Sequence, residues 1–217
     1  MPLEVEGDIM NRKIQSLLLS AIMGALAYLL MYFSFPVMPA LPYLKIDFSD
    51  IPILLVAFVE GPIGATLSAF TAKFLHYVFT GGEMGIPIGD FTSFLATLAY
   101  TLPIYYILKK PITSQLLGYA HQTKKNFNWR AIGSYALATL SLTIVMTVLN
   151  YYIITPFYMY VMNFPIDNIR TYILFGIIPF NLLKGLLVSI MAHIVVVKVL
   201  PTLIQKFGFA YPKSEHS

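Results

Sequence analysis

Asn181 and Lys184 stand three residues apart in the stretch Gly176-Ile-Ile-Pro-Phe-Asn-Leu-Leu-Lys-Gly185, inside an apolar segment long enough to cross a bilayer. At helical spacing i and i+3 they share one face. A charged side chain at the centre of a membrane helix costs about 2.5 to 3.5 kcal/mol on insertion scales unless it is paired or faces a polar cavity, so Lys184 needs a reason to be there. Two reasons compete. The preferred one is a polar cavity that holds a ligand; the other is a carboxylate or carbonyl partner that ties helices together. Pro179 cannot donate a backbone bond and frees a carbonyl on the preceding turn, which membranes tolerate where the backbone packs on protein or lines a cavity. The expected feature is therefore a polar, locally distorted notch in a greasy helix.

The other polar side chains are read against that notch. Asn150 lies near the end of an apolar run, where an interhelical hydrogen bond and a ligand contact are equally good explanations. Lys73 is a second deep charge, expected to pair with Asp90 or Glu60 or to snorkel. The histidines, His76, His121, His193 and His216, are scattered, and His76 and His193, lone in apolar helices, read as packing residues rather than metal ligands. There is no cysteine, so neither thiolate chemistry nor a Cys-ligated metal is available. The Gly-x-x-x-x-Gly-Lys-Ser/Thr phosphate loop, the His-Glu-x-x-His motif and the Gly-x-Ser-x-Gly elbow are all absent from the sequence, as are paired intramembrane carboxylates. The pattern points to a binder without its own energy source, not to an enzyme or a metal centre. On the first apolar helix, Ala21 and Ala25 form a small-x-x-x-small pair beside Gly24, which would let another helix approach closely, inside this chain or from a partner.

The elements that carry these residues follow from composition and breaks. With 58% hydrophobic and 11% charged residues and a mean hydropathy of +0.73, the chain reads as an all-α polytopic membrane protein forming one domain over residues 1–217. The first apolar segment is long and lacks a small-residue cleavage site, so it reads as a retained helix. Six helices are expected, over residues 14–35, 51–59, 63–79, 91–108, 131–154 and 172–200. The second is short, rising only about 14 Å. Charge parity argues that it crosses anyway: Arg12, Lys13, Lys109, Lys110, Lys124, Lys125, Arg130, Lys198, Lys206 and Lys213 are ten of the 14 Lys and Arg, and an even number of crossings before the 109–130 loop puts all of them in the cytoplasm. Both termini are then cytoplasmic. Lys45, Asp47 and Asp50, with Asp50 read as an N-cap, fall on the outside, and Asn181 and Lys184 lie roughly 14 to 18 Å down the last helix. The polar residues converge on the outer half of the membrane, the arrangement of a pocket that opens to the exterior.

Three stretches, Leu44-Lys-Ile-Asp-Phe-Ser-Asp-Ile-Pro52, Val148-Leu-Asn-Tyr151 with the following Pro156, and Gly176 to Gly185, resemble the riboflavin-specific substrate-binding (S) components of energy-coupling factor (ECF) transporters. The resemblance runs from about Ile14 to Leu200 and is strongest in the last stretch. It implies a six-helix vitamin binder of the prokaryotic cytoplasmic membrane, working with a transmembrane coupling subunit and two ATPases, with riboflavin as transported ligand and no cofactor. It further implies that Asn150, Asn181 and Lys184 contact riboflavin, that the loop from Leu44 to Phe48, with Lys45 and Asp47, covers the site, and that Ala21 and Ala25 dock the partner. The chain beyond Leu200 and the 109–130 loop lie outside the match. Riboflavin suits such a pocket. Its ring has an edge of alternating carbonyl and NH groups that amides and an ammonium can satisfy, and Tyr43, Phe48, Tyr151 and Tyr152 are candidates to pack the ring. One deep Lys is a poor match for a phosphate dianion, so free riboflavin is preferred to FMN. An S component for thiamine or folate is the nearer alternative, and a small membrane enzyme or channel the farther one.

Overall fold

The computed structural model describes residues 2–39, 41, 44–82, 85–116, 124–163 and 165–207. Helix α1, Pro2–Met31, is followed by a two-residue antiparallel ladder of β1, Phe35–Pro36, and β2, Lys45–Ile46, with Phe35 opposite Ile46 and Pro36 opposite Lys45. The first helix was expected to run to residue 35 in an all-α fold; it stops at Met31, and the ladder is the one departure from helix among the described elements. Pro36 stands five residues past that end and shapes the ladder rather than the helix terminus. It disfavours helical geometry at the residue before it and, lacking an N–H, suits a short ladder. The ladder brings the start of the Leu44–Phe48 segment back to the end of α1.

Helix α2 spans Asp50–Thr80 but is broken at Gly61, whose φ of 84° and ψ of −170° lie outside the helical region, with Pro62 next. In a straight helix Ser49 and Lys73 would be about 36 Å apart. Lys73 Nζ instead donates to Ser49 Oγ at 3.2 Å, so the chain reverses at Gly61 and the two arms lie back to back. They correspond to the second and third helices expected from the sequence. That φ, ψ combination belongs to a region essentially reserved for glycine, and a side chain there is unfavourable by about 1 to 3 kcal/mol. A Cβ at Gly61 would meet only the Tyr105 hydroxyl, at 3.7 Å, so the penalty there is conformational rather than steric. Gly61→Ala should therefore lower the melting temperature in detergent without disturbing packing elsewhere; an unchanged melt would show that the corner can relax.

Helix α3, Ile88–Leu116, and α4, Lys124–Leu149, follow. The basic segment expected as a loop from Lys109 is thus largely helical, since α3 runs on past Lys109 and Lys110 and α4 begins at Lys124; residues 117–123 lie outside the described residues. The α4 axis continues through a π-helical turn, Asn150–Ile154, into α5, Thr155–Val161. Asn168 then accepts hydrogen bonds from the backbone N–H groups of Arg170 and Thr171, a cap that starts α6, Ile169–Tyr172, slightly before the expected residue 172. A second π turn, Ile173–Ile177, leads into α7, Ile178–Lys198, and α8, Leu200–Phe207, closes the described chain.

The core has two parts. Phe58, Tyr100, Ile104, Leu108, Leu142, Val188 and Leu200 join α2, α3, α4, α7 and α8. Between α1 and the α2 hairpin the buried residues are mostly small, Ala27, Ala57, Ala65, Ala69 and Ala72, which allows the close helix approach that drives association in lipid. Gly24 sits at the tightest point, where a Cβ would come within 2.8 Å of the Ser68 carbonyl oxygen. Ser68 Oγ donates to the Ser20 carbonyl at 2.8 Å, and the Ser20 hydroxyl bonds the Glu60 carboxylate. Five helices among the described residues are long and apolar enough to cross a membrane: Lys13–Met31, Asp50–Thr80, Ile88–Lys110, Trp129–Val161 and Ile169–Lys198. Their exposed side chains include Leu17, Ile63, Phe70, Leu140, Phe175 and Leu186, the surface of a membrane protein.

Candidate ligand-binding site

A cavity of about 460 Å³ opens between α3, the α4–α5 axis and the start of α7. Leu44 and Lys45, at the start of the second strand of the β ladder, form one wall. Thr92, Ser93 and Ala96 of α3 form a second, and Met146, Asn150, Ile154, Thr155 and Tyr158 a third. Tyr172, Ile177, Phe180, Asn181 and Lys184 complete it. Asn150, Asn181 and Lys184, far apart in the chain, are thus brought together around one space.

Both π turns border that space, and one asparagine lies in or just after each. Asn150 opens the first, and its Nδ2 donates to the Met146 carbonyl at 2.8 Å. Asn181 follows the second, and its Nδ2 donates to the Ile177 carbonyl at 2.8 Å. A carbonyl oxygen only accepts, so the atom facing it must be the amide nitrogen. Each Oδ1 remains an acceptor. A π turn inserts an extra residue per turn and is common at functional sites because it frees backbone carbonyls and re-aims side chains.

Lys184 satisfies both explanations offered for it. It lines the cavity, and its Nζ lies 3.7 Å from Asp50 Oδ2. Asp50 is only 2% exposed, and its Oδ1 accepts from Thr97 Oγ1 at 2.6 Å. The reading of Asp50 as an outward-facing cap is therefore corrected: Ser49 holds the cap position, and the Asp50 carboxylate turns inward because a buried ammonium needs it. Lys73 is also corrected. Its Nζ reaches Ser49 Oγ at 3.2 Å and Met31 Sδ at 3.6 Å, while Asp90 bonds His76 Nδ1 at 2.6 Å and Glu60 bonds Ser20.

Asp47 lies in the field of both lysines. Burial alone would push its carboxyl up, but the ammonium groups of Lys184 and Lys73 and the Ser49 hydrogen bonds outweigh it and hold Asp47 below the usual carboxylate range. Two acids and two bases, Asp47, Asp50, Lys73 and Lys184, thus compensate one another beneath the cavity. Of the segment expected to cover the site, Leu44 and Lys45 reach the cavity wall. Asp47 Oδ1 accepts from the Ser49 N–H at 2.8 Å, and Phe48 packs on Phe35 at a ring distance of 6.2 Å and against the core, so this half acts as the segment's anchor.

The aromatic residues at the cavity are Tyr158, Tyr172 and Phe180, which sequence reading missed. Helical spacing held a partial signal, since Ile154 and Tyr158 follow Asn150 at four and eight residues. Tyr151 and Tyr152 pack edge to face on each other instead, with Tyr152 71% exposed, and Tyr43 lies outside the described residues. On α1, Ala21 is exposed and Ala25 half-buried, on a strip shared with exposed Leu18, Ile22 and Leu29, while Gly24 faces α2. The small-residue pair is therefore on the outward side, not in the internal seam.

Comparison with known proteins decides which family this architecture represents. The family model for the ECF transporter, substrate-specific component, matches residues 15–196. The chain belongs to that family. The riboflavin transporter FmnP of Bacillus subtilis (strain 168) is 29% identical over 198 residues, covering 89% of this chain and 96% of the relative. The riboflavin transporter RibU of Staphylococcus aureus (strain TCH60) is 34% identical over 172 residues, 78% of this chain and 82% of the relative. RibU of Streptococcus thermophilus (strain ATCC BAA-250 / LMG 18311) is 35% identical over 176 residues, 78% and 75%. A solved structure described under "Structure and mechanism of the S component of a bacterial ECF transporter" superposes with a TM-score of 0.67 at 31% identity, covering 88% of this chain and 98% of that one. As an ECF substrate-specific component, the chain is a transporter subunit. The matched region contains Ala21, Ala25 and every residue of the cavity wall, and it ends before α8.

Proposed function

We propose that this chain captures riboflavin from outside the cell, with high affinity, as the substrate-binding subunit of an ATP-driven ECF vitamin transporter. The observation that carries the reading is the cavity itself, set in a chain whose relatives are named riboflavin transporters. Its volume of about 460 Å³ falls within the roughly 300 to 1,000 Å³ typical of small-molecule sites. The Oδ1 atoms of Asn150 and Asn181 can accept from a ring N–H, Lys184 Nζ can donate to a ring carbonyl, and Tyr158, Tyr172 and Phe180 supply faces for a planar ring. Leu44 and Lys45 cover the bound ligand, held by the Asp47 and Phe48 anchor. No catalytic role and no cofactor belong to this reading; riboflavin is cargo.

The reading extends to topology and partners. Counting the two arms of α2 as separate crossings gives six, which places both termini and the basic helix ends in the cytoplasm and the cavity in the outer half of a multi-pass protein of the prokaryotic cytoplasmic membrane. The chain carries no phosphate loop, so ATP hydrolysis belongs to two ATPase subunits reached through a transmembrane coupling subunit that docks on Ala21 and Ala25. Single cysteines at Glu83 and Gln122, both outside the described residues, should react with impermeant reagents from the outside and the cytoplasm respectively; the reverse would overturn the crossing count. Mass spectrometry of the ligand released from detergent-purified protein tests the cargo. Riboflavin is expected, and thiamine or folate in its place would overturn the assignment. Asn181→Ala should weaken riboflavin binding by about 1 to 3 kcal/mol, the cost of a ligand polar group left without its partner. Unchanged affinity in a flavin fluorescence titration would remove Asn181 from the site.

A further inference from the structure

A threonine inside an α-helix has a ready acceptor in the carbonyl four residues back. Thr66, Thr71, Thr80, Thr92 and Thr143 all make that bond here, at 2.6 to 2.9 Å. Thr155 does not. It is 2% exposed and lines the cavity, yet its hydroxyl oxygen is buried with no hydrogen-bond partner. Thr101 and Thr147 share that lack of a partner, but neither lines the cavity. The cause at Thr155 is local. Through the π turn Asn150–Ile154 the backbone ladder is shifted, so the Thr155 N–H bonds the Asn150 carbonyl five residues back, and the carbonyl four residues back is no longer aligned beneath the side chain.

A buried hydroxyl without a partner is unfavourable, and a rotation of about 120° about χ1 can carry it into the direction now held by the methyl group. An occupant of the cavity would supply what the backbone withholds. We propose that Thr155 is a ligand-contacting, specificity-determining residue whose hydroxyl donates to an acceptor on the polar edge of the cavity's occupant. The identity of that edge rests on the riboflavin reading. The flavin ring presents carbonyl, N–H and carbonyl in a row. Lys184 Nζ donates to one carbonyl, an asparagine Oδ1 accepts from the N–H, and Thr155 donates to the other carbonyl. The π turn thereby delivers two adjacent polar contacts, Asn150 and Thr155, from one distorted turn.

Thr155→Val, close to isosteric, separates a ligand contact from a structural role. Riboflavin affinity, measured by flavin fluorescence in detergent, should fall about tenfold or more. The melting temperature of the ligand-free protein should hold or rise, because a methyl group has no hydrogen bond to lose. A structural hydroxyl would give the opposite pair of results, a lower melting temperature with affinity little changed. Thr155→Ser keeps the donor and should retain affinity within about threefold. A riboflavin analogue with sulfur replacing a ring carbonyl oxygen, a weaker acceptor, should bind the wild type less tightly at one of the two carbonyl positions while losing little further in Thr155→Val. Wild-type affinity in Thr155→Val would overturn the assignment of Thr155 alone. Failure of the wild type to bind riboflavin would instead overturn the functional reading, and the flavin contact with it.

Discussion

Lys184→Met should remove riboflavin binding and also destabilise the ligand-free protein by about 3 to 5 kcal/mol, the range expected when one member of a buried ion pair is deleted. The reason is Asp50. At 2% exposure it would keep the Thr97 hydroxyl as a partner but lose the ammonium 3.7 Å away. The double variant Asp50→Asn/Lys184→Met removes both charges and should recover most of the stability, because a neutral amide can still bond Thr97. It should not recover binding, since the donor facing the cavity is still missing. Thermal unfolding in detergent and flavin fluorescence separate the two effects. A Lys184→Met protein that melts like the wild type would show that the pair contributes little to the fold, and a double variant with full affinity would place the ligand elsewhere.

Ala21→Leu together with Ala25→Leu should leave riboflavin affinity unchanged and abolish uptake. Ala21 is exposed and Ala25 half-buried, whereas the neighbouring Gly24 is the residue that meets α2. The added side chains therefore project away from the internal seam and would hold a partner helix off where close van der Waals contact drives association in lipid. The cavity is built from other helices and should not sense the change. Proteoliposomes containing the coupling and ATPase subunits provide the assay. Normal ATP-dependent accumulation by the double variant, or uphill accumulation by the wild-type chain alone, would refute this division of labour.

What the residues reveal alone is what depends on local spacing and local cost. Long apolar runs interrupted by Pro and Gly declare membrane helices, because an unsatisfied backbone in lipid is prohibitively unfavourable. A lysine three residues from an asparagine in such a run marks one polar face, and that face does line the cavity. The break at Glu60-Gly-Pro62 was legible too, and counting both flanking segments as crossings required the chain to turn back there; what spacing could not show is the positive φ of Gly61 or that Lys73 meets Ser49 across the corner. Asp50 could be read as a cap by the same local logic. Only tertiary structure set it against Lys184 and Thr97, from two other helices, because a buried charge is neutralised by whichever opposite charge the packing brings near. The two π turns, the aromatic wall and the unpartnered Thr155 hydroxyl escaped sequence reading for a related reason. An extra residue in a helical turn leaves no periodic mark of its own, yet it rotates everything beyond it, so spacing marked parts of the lining while the packing of the helices decided which of the aromatic side chains face the cavity.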